Sequence, residues 1–401
     1  AASDVYKRQI LESTMNYQKW NNILGWLVFA VAAFTYINTL EPTASFWDCG
    51  EYIATSYRLE VGHPPGAPTF LLVGRLFSMF VAPENVAYAV NMISAISSAF
   101  TILFLFWTIT ALALKLFTLT KGEDEITDGD RIAIFGSAII GGLAYTFSDT
   151  FWFSAEEGEV YALSSMMTAI TFWAILKWEK IANEPQADRW IILIAYLIGL
   201  SIGIHLLNLL AIPAIAYVIY FKKFKPSLKG MIVAGGIGVV TLGGIQGFII
   251  PGLVSLAAKF EYAIVNSFGA PFHAGSLIFI FLLIAAIVYG IFYTMKTNRP
   301  TLNTAILSFL VLIIGYSSFT LIMIRSNANT PIDENNPENL VNLLAYLNRE
   351  QYGESPLAYG QQFNSPLDQS NQYKDGTPVY YPDERTGKYE LADDRKSSKP
   401  N

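Results

Sequence analysis

Between Trp47 and Phe70 the chain gathers side chains that can move protons and hold anions: Asp48, Glu51, Tyr52 and His63. Asp48, Glu51 and Tyr52 are spaced i, i+3, i+4, so a helix brings them to one face. Two carboxylates placed this way suit proton abstraction from a hydroxyl, with Asp48 as general base. Glu51 would orient Asp48, bind a sugar hydroxyl or help hold a cation. The competing role for Asp48 is that of a helix N-cap, for which Asp is favoured. The stretch closes on His63-Pro64-Pro65-Gly66. Its prolines remove two backbone donors and push His63 toward an extended conformation, which fixes where the ring points. His63 could donate to a phosphate or sugar hydroxyl, or simply bond to neighbouring carbonyls. Cys49 and Gly50 read as small residues that let the backbone approach a ligand. Tyr52 reads as an interfacial aromatic.

Further along, Glu156, Glu157 and Glu159 precede an apolar run. Glu156 and Glu157 read as a solvated loop. Glu159 touches the apolar boundary, where a charge is costly, so it is a candidate for function or for the first turn of a helix. His205 lies inside apolar sequence and is either a functional group or a partner in a helix–helix hydrogen bond. Arg325 ends the last apolar run; its guanidinium fork matches phosphate oxygens, and snorkelling to the interface is the plainer reading. Asp48 and Glu51 could supply two oxygen ligands to a divalent metal, but spacing identifies no third, so no metal ligand set is assigned.

The elements that position these groups are membrane helices. Of 401 residues, 53% are hydrophobic and only 14% charged, with a mean hydropathy of +0.37. Apolar runs near the ~20 residues needed to cross a bilayer recur from Ile23 to Met323. Helices are the expected spanning element, and the alternation of barrel strands is missing. By length and hydropathy there are about nine spans. They start with Ile23–Leu40, Val86–Phe117, Ile132–Phe147 and Val160–Leu176, and two short spans share Trp190–Tyr220 around His205. The last three lie within Met231–Leu253, Leu277–Tyr293 and Ala305–Ile324. The segment from Ala67 to Ala82, interrupted by Arg75, reads as a juxtamembrane or re-entrant helix.

The single cysteine, Cys49, excludes an intramolecular disulfide and a cysteine metal cluster, and the net charge of −6 argues against nucleic-acid binding. Lys19, Lys121, Arg131, Lys177, Lys180, Arg189, Lys222, Lys223, Lys225, Lys229, Lys296 and Arg299 fall on one side of this topology, which should be cytoplasmic. Asp48, Glu51, His63, Glu156, Glu157, Glu159 and the tail after Arg325 then share the other side. Residues 1–14 read as an assembly scar ahead of a natural start at Met15, residues 15–325 as the membrane domain, and residues 326–401 as a polar tail that is cut short. In the tail, Asn336-Pro337 should cap a helix carrying Leu340, Leu343, Leu344 and Leu347 and ending near Gly353. Val379–Tyr381 and Lys388–Leu391 suggest a hairpin.

Asp48-Cys49-Gly50-Glu51 followed by Gly62-His63-Pro64-Pro65-Gly66-Ala67-Pro68 resembles the signature of the protein O-mannosyltransferase-like membrane family. Glu159-Val160-Tyr161-Ala162-Leu163 and Arg349-Glu350-Gln351-Tyr352-Gly353 fit its bacterial, Bacteroidetes-type branch. More broadly the chain is similar to the GT-C glycosyltransferases, whose first extracytoplasmic loop carries an acidic motif. The resemblance implies an all-α polytopic GT-C-like fold with a small mixed tail, and places Asp48 at the catalytic acid with Glu51 nearby. It further implies a multi-pass protein of the bacterial inner membrane, active toward the periplasm. The expected reaction moves a hexose, mannose first, from a polyprenyl-phosphate donor to Ser/Thr hydroxyls of an acceptor protein, with inversion. His63, His205, Arg325 and Glu159 would serve the donor, and membrane lipids would surround the chain. The alternatives are a transporter or flippase of lipid-linked sugar and a non-catalytic scaffold.

Overall fold

The computed structural model describes residues 15–353, 364, 366, 373–375, 379–393 and 396–398. The expected foreign segment, residues 1–14, lies outside them. The chain is an all-α polytopic membrane protein carrying a few short strands. Its contacts divide it into two units. The first comprises the described residues up to Leu59, Ala67–Val239 and Val311–Ser317. The second comprises Glu60–Gly66, Val240–Leu310 and the described tail from Ser318 onward.

In the first unit, α1 (Tyr17–Asn38) starts where the Asn16 side chain accepts a hydrogen bond from the Lys19 amide, satisfying one of the orphan donors of a helix start. Next come α2 (Cys49–Arg58) and α3 (Pro68–Ser78). The 36-residue α4 (Val86–Lys121) is the central post; at 1.5 Å per residue it is about 54 Å long, well beyond a ~30 Å hydrocarbon layer. Thr127 and Asp130 form a reciprocal capping box that opens α5 (Asp128–Thr146). Then follow α6 (Asp149–Glu156), α7 (Val160–Ile181), α8 (Arg189–Ile202) and, after a 3-10 turn over Leu206–Leu210, α9 (Ala211–Lys223). One apolar core joins Val28, Ala32 and Tyr36 of α1 to Ala99, Ile102 and Phe106 of α4 and Phe135 of α5. A second joins Phe70 and Leu71 of α3 to Val90 and Ile93 of α4 and Leu163 and Met167 of α7. Where α8 meets residues 311–317, a Cβ on Gly199 would lie 2.3 Å from the Leu312 carbonyl oxygen, so only glycine permits this backbone approach.

The second unit holds the end of α10 (Leu228–Gly244), whose earlier residues belong to the first, and a π-helical turn over Ile245–Ile249. It continues with α11 (Ile250–Phe268), α12 (Ala274–Lys296), most of α13 (Pro300–Tyr316) and α14 (Thr320–Ser326). The tail adds α15 (Leu340–Leu347) and two antiparallel pairs. Strand β1 (Tyr373–Asp375) pairs with β4 (Lys396–Ser398), and β2 (Val379–Asp383) with β3 (Lys388–Asp393), opposing Tyr380 to Leu391. The expected hairpin is present. The cap of α15 differs from expectation: Asn339, not Asn336-Pro337, accepts from the amides of Val341 and Asn342, both at 3.0 Å. The helix also ends at Leu347 rather than near Gly353.

The span count is corrected as well. Among the described residues seven helices are long and apolar enough to cross a membrane, and an eighth if α5 and α6, bent by 63°, act as one. Hydropathy alone reads α8 as a ninth, but 14 residues reach only about 21 Å. The segment after Ala67 forms a short apolar helix, α3.

Candidate active site

The site is built on α4 by one amide. Asn91 is fully buried, and its Nδ2 donates to the carbonyls of Glu41 at 2.6 Å and Thr43 at 2.9 Å. Its Oδ1 accepts from the Cys49 thiol at 3.7 Å. The loop ahead of α2 is thereby fixed, and Asp48 with it. Three residues on, the Ser94 hydroxyl donates to the Glu159 carbonyl at 3.4 Å. The Glu41 amide donates to the Glu156 carbonyl at 3.2 Å. Loop 41–48 and loop 156–159 are thus laced together through α4. Gly158 makes this possible: a Cβ there would lie 2.8 Å from Asn91 Oδ1 and 3.1 Å from Val90.

Onto this frame the acids converge. Asp48 occupies the N-cap position of α2, yet its side chain makes no capping hydrogen bond, so capping does not explain its presence. Glu51 stands half-buried in the first turn. Tyr52 packs edge-on against Phe70 with ring centroids 5.3 Å apart. Burial pushes its phenol well above the usual tyrosine range, and the charges of Glu159, Asp48 and Glu51 push it further. Three carboxylates from two loops therefore act on one hydroxyl, which stays protonated and able to donate. Tyr52 is more than the interfacial aromatic that its sequence position suggests.

Glu159 is only 5% exposed and caps α7, its Oε2 accepting from the Val160 amide at 3.2 Å. The helix-start role is thus observed, alongside its nearness to Tyr52. Glu157 corrects the reading of a solvated loop: it too is 5% exposed, and Glu156 is half-buried. The loop is drawn inward because Asn91 and Ser94 hold its neighbours. Burial pushes the Glu157 carboxyl up, the Ser45 hydroxyl pulls it down and Glu156 pushes it up again. Its Oε2 is buried with no hydrogen-bond partner among the described residues. Cys49 is fully buried, and burial raises its thiol first, with Glu157 and Glu159 adding to that against backbone contacts from Ser45 and Gly158. The thiol is turned inward against Asn91. Gly50 has room for a methyl group, its nearest neighbour being Ala44 Cβ at 3.7 Å.

His205 sits in the break between α8 and the 3-10 turn, where its Nδ1 accepts from the Leu207 amide at 3.2 Å. The imidazole is therefore held neutral, with its proton on Nε2. The ring lies 5.4 Å from that of Tyr161, in the first turn of α7, and Tyr161 in turn acts on Tyr52.

His63 and Arg325 belong to the second unit. There Tyr346 of α15 donates to the Gly62 carbonyl at 2.6 Å, and the Gly66 amide to the His63 carbonyl at 2.9 Å. Gly66 is required for this turn: its φ is +71°, and a Cβ would meet Tyr346 Oη at 2.6 Å. Arg325 is half-buried in the last turn of α14, where positive charge suits the helix end. Sequence reasoning missed Glu157, Asn91 and the buried Glu60 of the second unit, which is 3% exposed. For Asn91 a signal existed, an amide inside a long apolar run.

Residues 48–228 match a family model described as "Protein O-mannosyl-transferase TMEM260 N-terminal domain". The match opens on Asp48 and takes in Glu51, His63, Glu159 and His205, while Arg325 lies beyond it. The chain is 22% identical over 258 residues to protein O-mannosyl-transferase tmem260 of Dictyostelium discoideum, which covers 60% of this chain and 28% of the relative. It is 25% identical over 175 residues to protein O-mannosyl-transferase TMEM260 of Mus musculus, covering 44% and 22%. The aligned part thus spans about a quarter of the length of these relatives. No solved structure matches the chain. The resemblance to an O-mannosyltransferase-like family is borne out; the relatives named here come from Dictyostelium discoideum and Mus musculus.

Proposed function

We propose, from the likeness of residues 48–228 to the protein O-mannosyl-transferase N-terminal domain, that this chain is the membrane part of a protein glycosyltransferase. The observation that supports the reading is the lacing of loop 41–48, which ends on Asp48, to loop 156–159, which ends on Glu159, through Asn91 and Ser94 of α4. The donor is a mannosyl-phosphate polyprenol and the acceptor a Ser or Thr hydroxyl of a protein. Asp48, exposed at the mouth of the laced loops, takes the hydroxyl proton. The freed oxygen attacks the anomeric carbon, forming the new C–O bond as the bond to phosphate breaks. The polyprenyl phosphate departs with the electron pair. Because that group is already stable as an anion, the step needs no strong acid, and a single displacement inverts the anomeric carbon. It needs no enzyme nucleophile of the kind a retaining glycosidase carries.

Glu51 orients Asp48 or holds a sugar hydroxyl. Tyr52 and Nε2 of His205 are the neutral donors of the first unit and offer hydrogen bonds to developing negative charge. His63 and Arg325 are assigned to donor phosphate on their chemistry alone. The Lys/Arg bias of the loops supports an active face outside the cytoplasm, the periplasm if the source is bacterial. A GT-C assignment rests on the acidic motif after the first span.

The test is transfer in vitro. Full-length protein, purified polyprenyl-phosphate mannose and acceptor peptides are combined with and without a chelator, and hexosylated peptide is read by mass spectrometry. Formation of α-linked product from a β-linked donor supports the reading, and absence of peptide product with an intact donor contradicts it. The break between α8 and α9 favours a second reading, transport of a lipid-linked sugar. Counterflow of labelled donor in vesicles without peptide product would select it.

A further inference from the structure

At the other end of the same helices the first unit contains a second polar site. A cavity of about 110 Å³ lies between the first turns of α1, the middle of α4 and the last turns of α7. Its wall includes Asn21, Asn22, Trp107, Trp173, Lys177 and Lys180. Since Glu159 caps the start of α7, which is 22 residues long, this cavity is roughly 30 Å along the helix from that acid. The two are independent.

The wall is chemically specific. Lys177 and Lys180 are one turn apart, so their like charges face the same space and repel. Neither has an ion pair among the described residues; the nearby Glu179 is taken by Lys115. The Lys177 ammonium lies 5.1 Å from the centre of the Trp173 ring, which holds it in place. Trp173 is braced in turn by Trp107 at 6.1 Å and Trp190 at 5.6 Å. Asn21 lines the same wall: its side-chain oxygen is an acceptor buried without a hydrogen-bond partner among the described residues, and its own carbonyl accepts from Trp107 Nε1 at 3.4 Å. An unmet acceptor calls for a donor, a lysine ammonium or a ligand hydroxyl, and not for a phosphate oxygen.

We propose that this cavity binds a phosphate group, with the two lysines neutralising it and the tryptophan shelf flanking what the phosphate carries. An anionic lipid headgroup and a free phosphate share this chemistry. The setting, a helix end rich in lysine and aromatic residues at a membrane boundary, favours the lipid.

Full-length protein in detergent is titrated with phosphatidylglycerol, phosphatidylcholine or inorganic phosphate, and bound species are counted by native mass spectrometry. Phosphatidylglycerol should be retained over phosphatidylcholine, by about fivefold for each lysine that contributes. Lys180→Gln, at an exposed position, should lower that preference about fivefold, and the K177Q/K180Q pair should abolish it. Unchanged melting of Lys180→Gln in phosphatidylcholine controls for the fold. Lysine-dependent binding of inorganic phosphate in place of lipid supports the same site with a soluble source. Binding of neither anion, or binding that Lys180→Gln leaves unaltered, overturns the proposal.

Discussion

Glu157 of the first unit and Glu261 of the second are buried almost equally, 5% and 4% exposed, yet their surroundings are opposite. Glu261 on α11 accepts from the His273 amide at 2.6 Å, the Ser276 amide at 2.7 Å, the Ser276 hydroxyl at 2.9 Å and Tyr389 Oη at 3.2 Å. It thereby fastens the start of α12 and strand β3 to α11, helped by Asn266, which bonds both the amide and carbonyl of Tyr389 at 2.9 Å. All of its acceptor capacity is committed to the fold. Glu157 has the Ser45 hydroxyl on one side and a buried oxygen without a partner on the other. Burial alone, then, does not tell a carboxylate whose oxygens are all bonded from one that keeps an acceptor unmet. The supply of donors does.

The comparison breaks first at Glu261. Glu261→Ala orphans two backbone amides and the hydroxyls of Ser276 and Tyr389, at about 1–3 kcal/mol for each buried donor left unpaired. The second unit should melt well below wild type by differential scanning fluorimetry, and an unchanged melting point would remove its structural role. Asn91→Ala sharpens the contrast from the other side. It deletes both grips on loop 41–48, at about 1–3 kcal/mol, and frees Asp48 to wander. Transfer should therefore fall more than stability does, and proportional losses would mean that Asn91 only supports packing.

The third effect is smaller and depends on pH. The Glu157 carboxyl is raised above its ordinary value of 4.5, so the folded protein holds that proton more tightly than the unfolded chain. Stability should then decline as pH rises from about 4.5 toward the raised value. Glu157→Gln, neutral throughout, should flatten that part of the melting-temperature profile and melt higher than wild type above it. A profile identical to wild type would show that Glu157 is not protonated in the fold.

Much of this was legible in the sequence, for identifiable reasons. Spans are read by length and apolarity, so α1, α4, α7 and α12 fall where their runs predict. Hydropathy does not register bends or short helices, which is how α5, bent against α6, and the short α8 each entered the count as a full span. Asp48, Glu51 and Glu159 were visible because acids beside apolar sequence are conspicuous. Glu157 was hidden by its own neighbours, since a run of acids normally marks solvent, and only the grip of α4 on loop 156–159 reverses that. The division between the units was not legible: it falls inside the continuous apolar stretch from Leu228 to Phe268, where composition carries no boundary.

The central claim is that Asp48 is the base. Its most direct test is single-turnover transfer from polyprenyl-phosphate mannose to a peptide by wild type and Asp48→Asn, with melting followed in parallel. The amide keeps the shape and loses the basicity. Transfer should fall by about 10²–10⁴-fold at an unchanged melting temperature. Wild-type rates in Asp48→Asn would contradict the assignment outright.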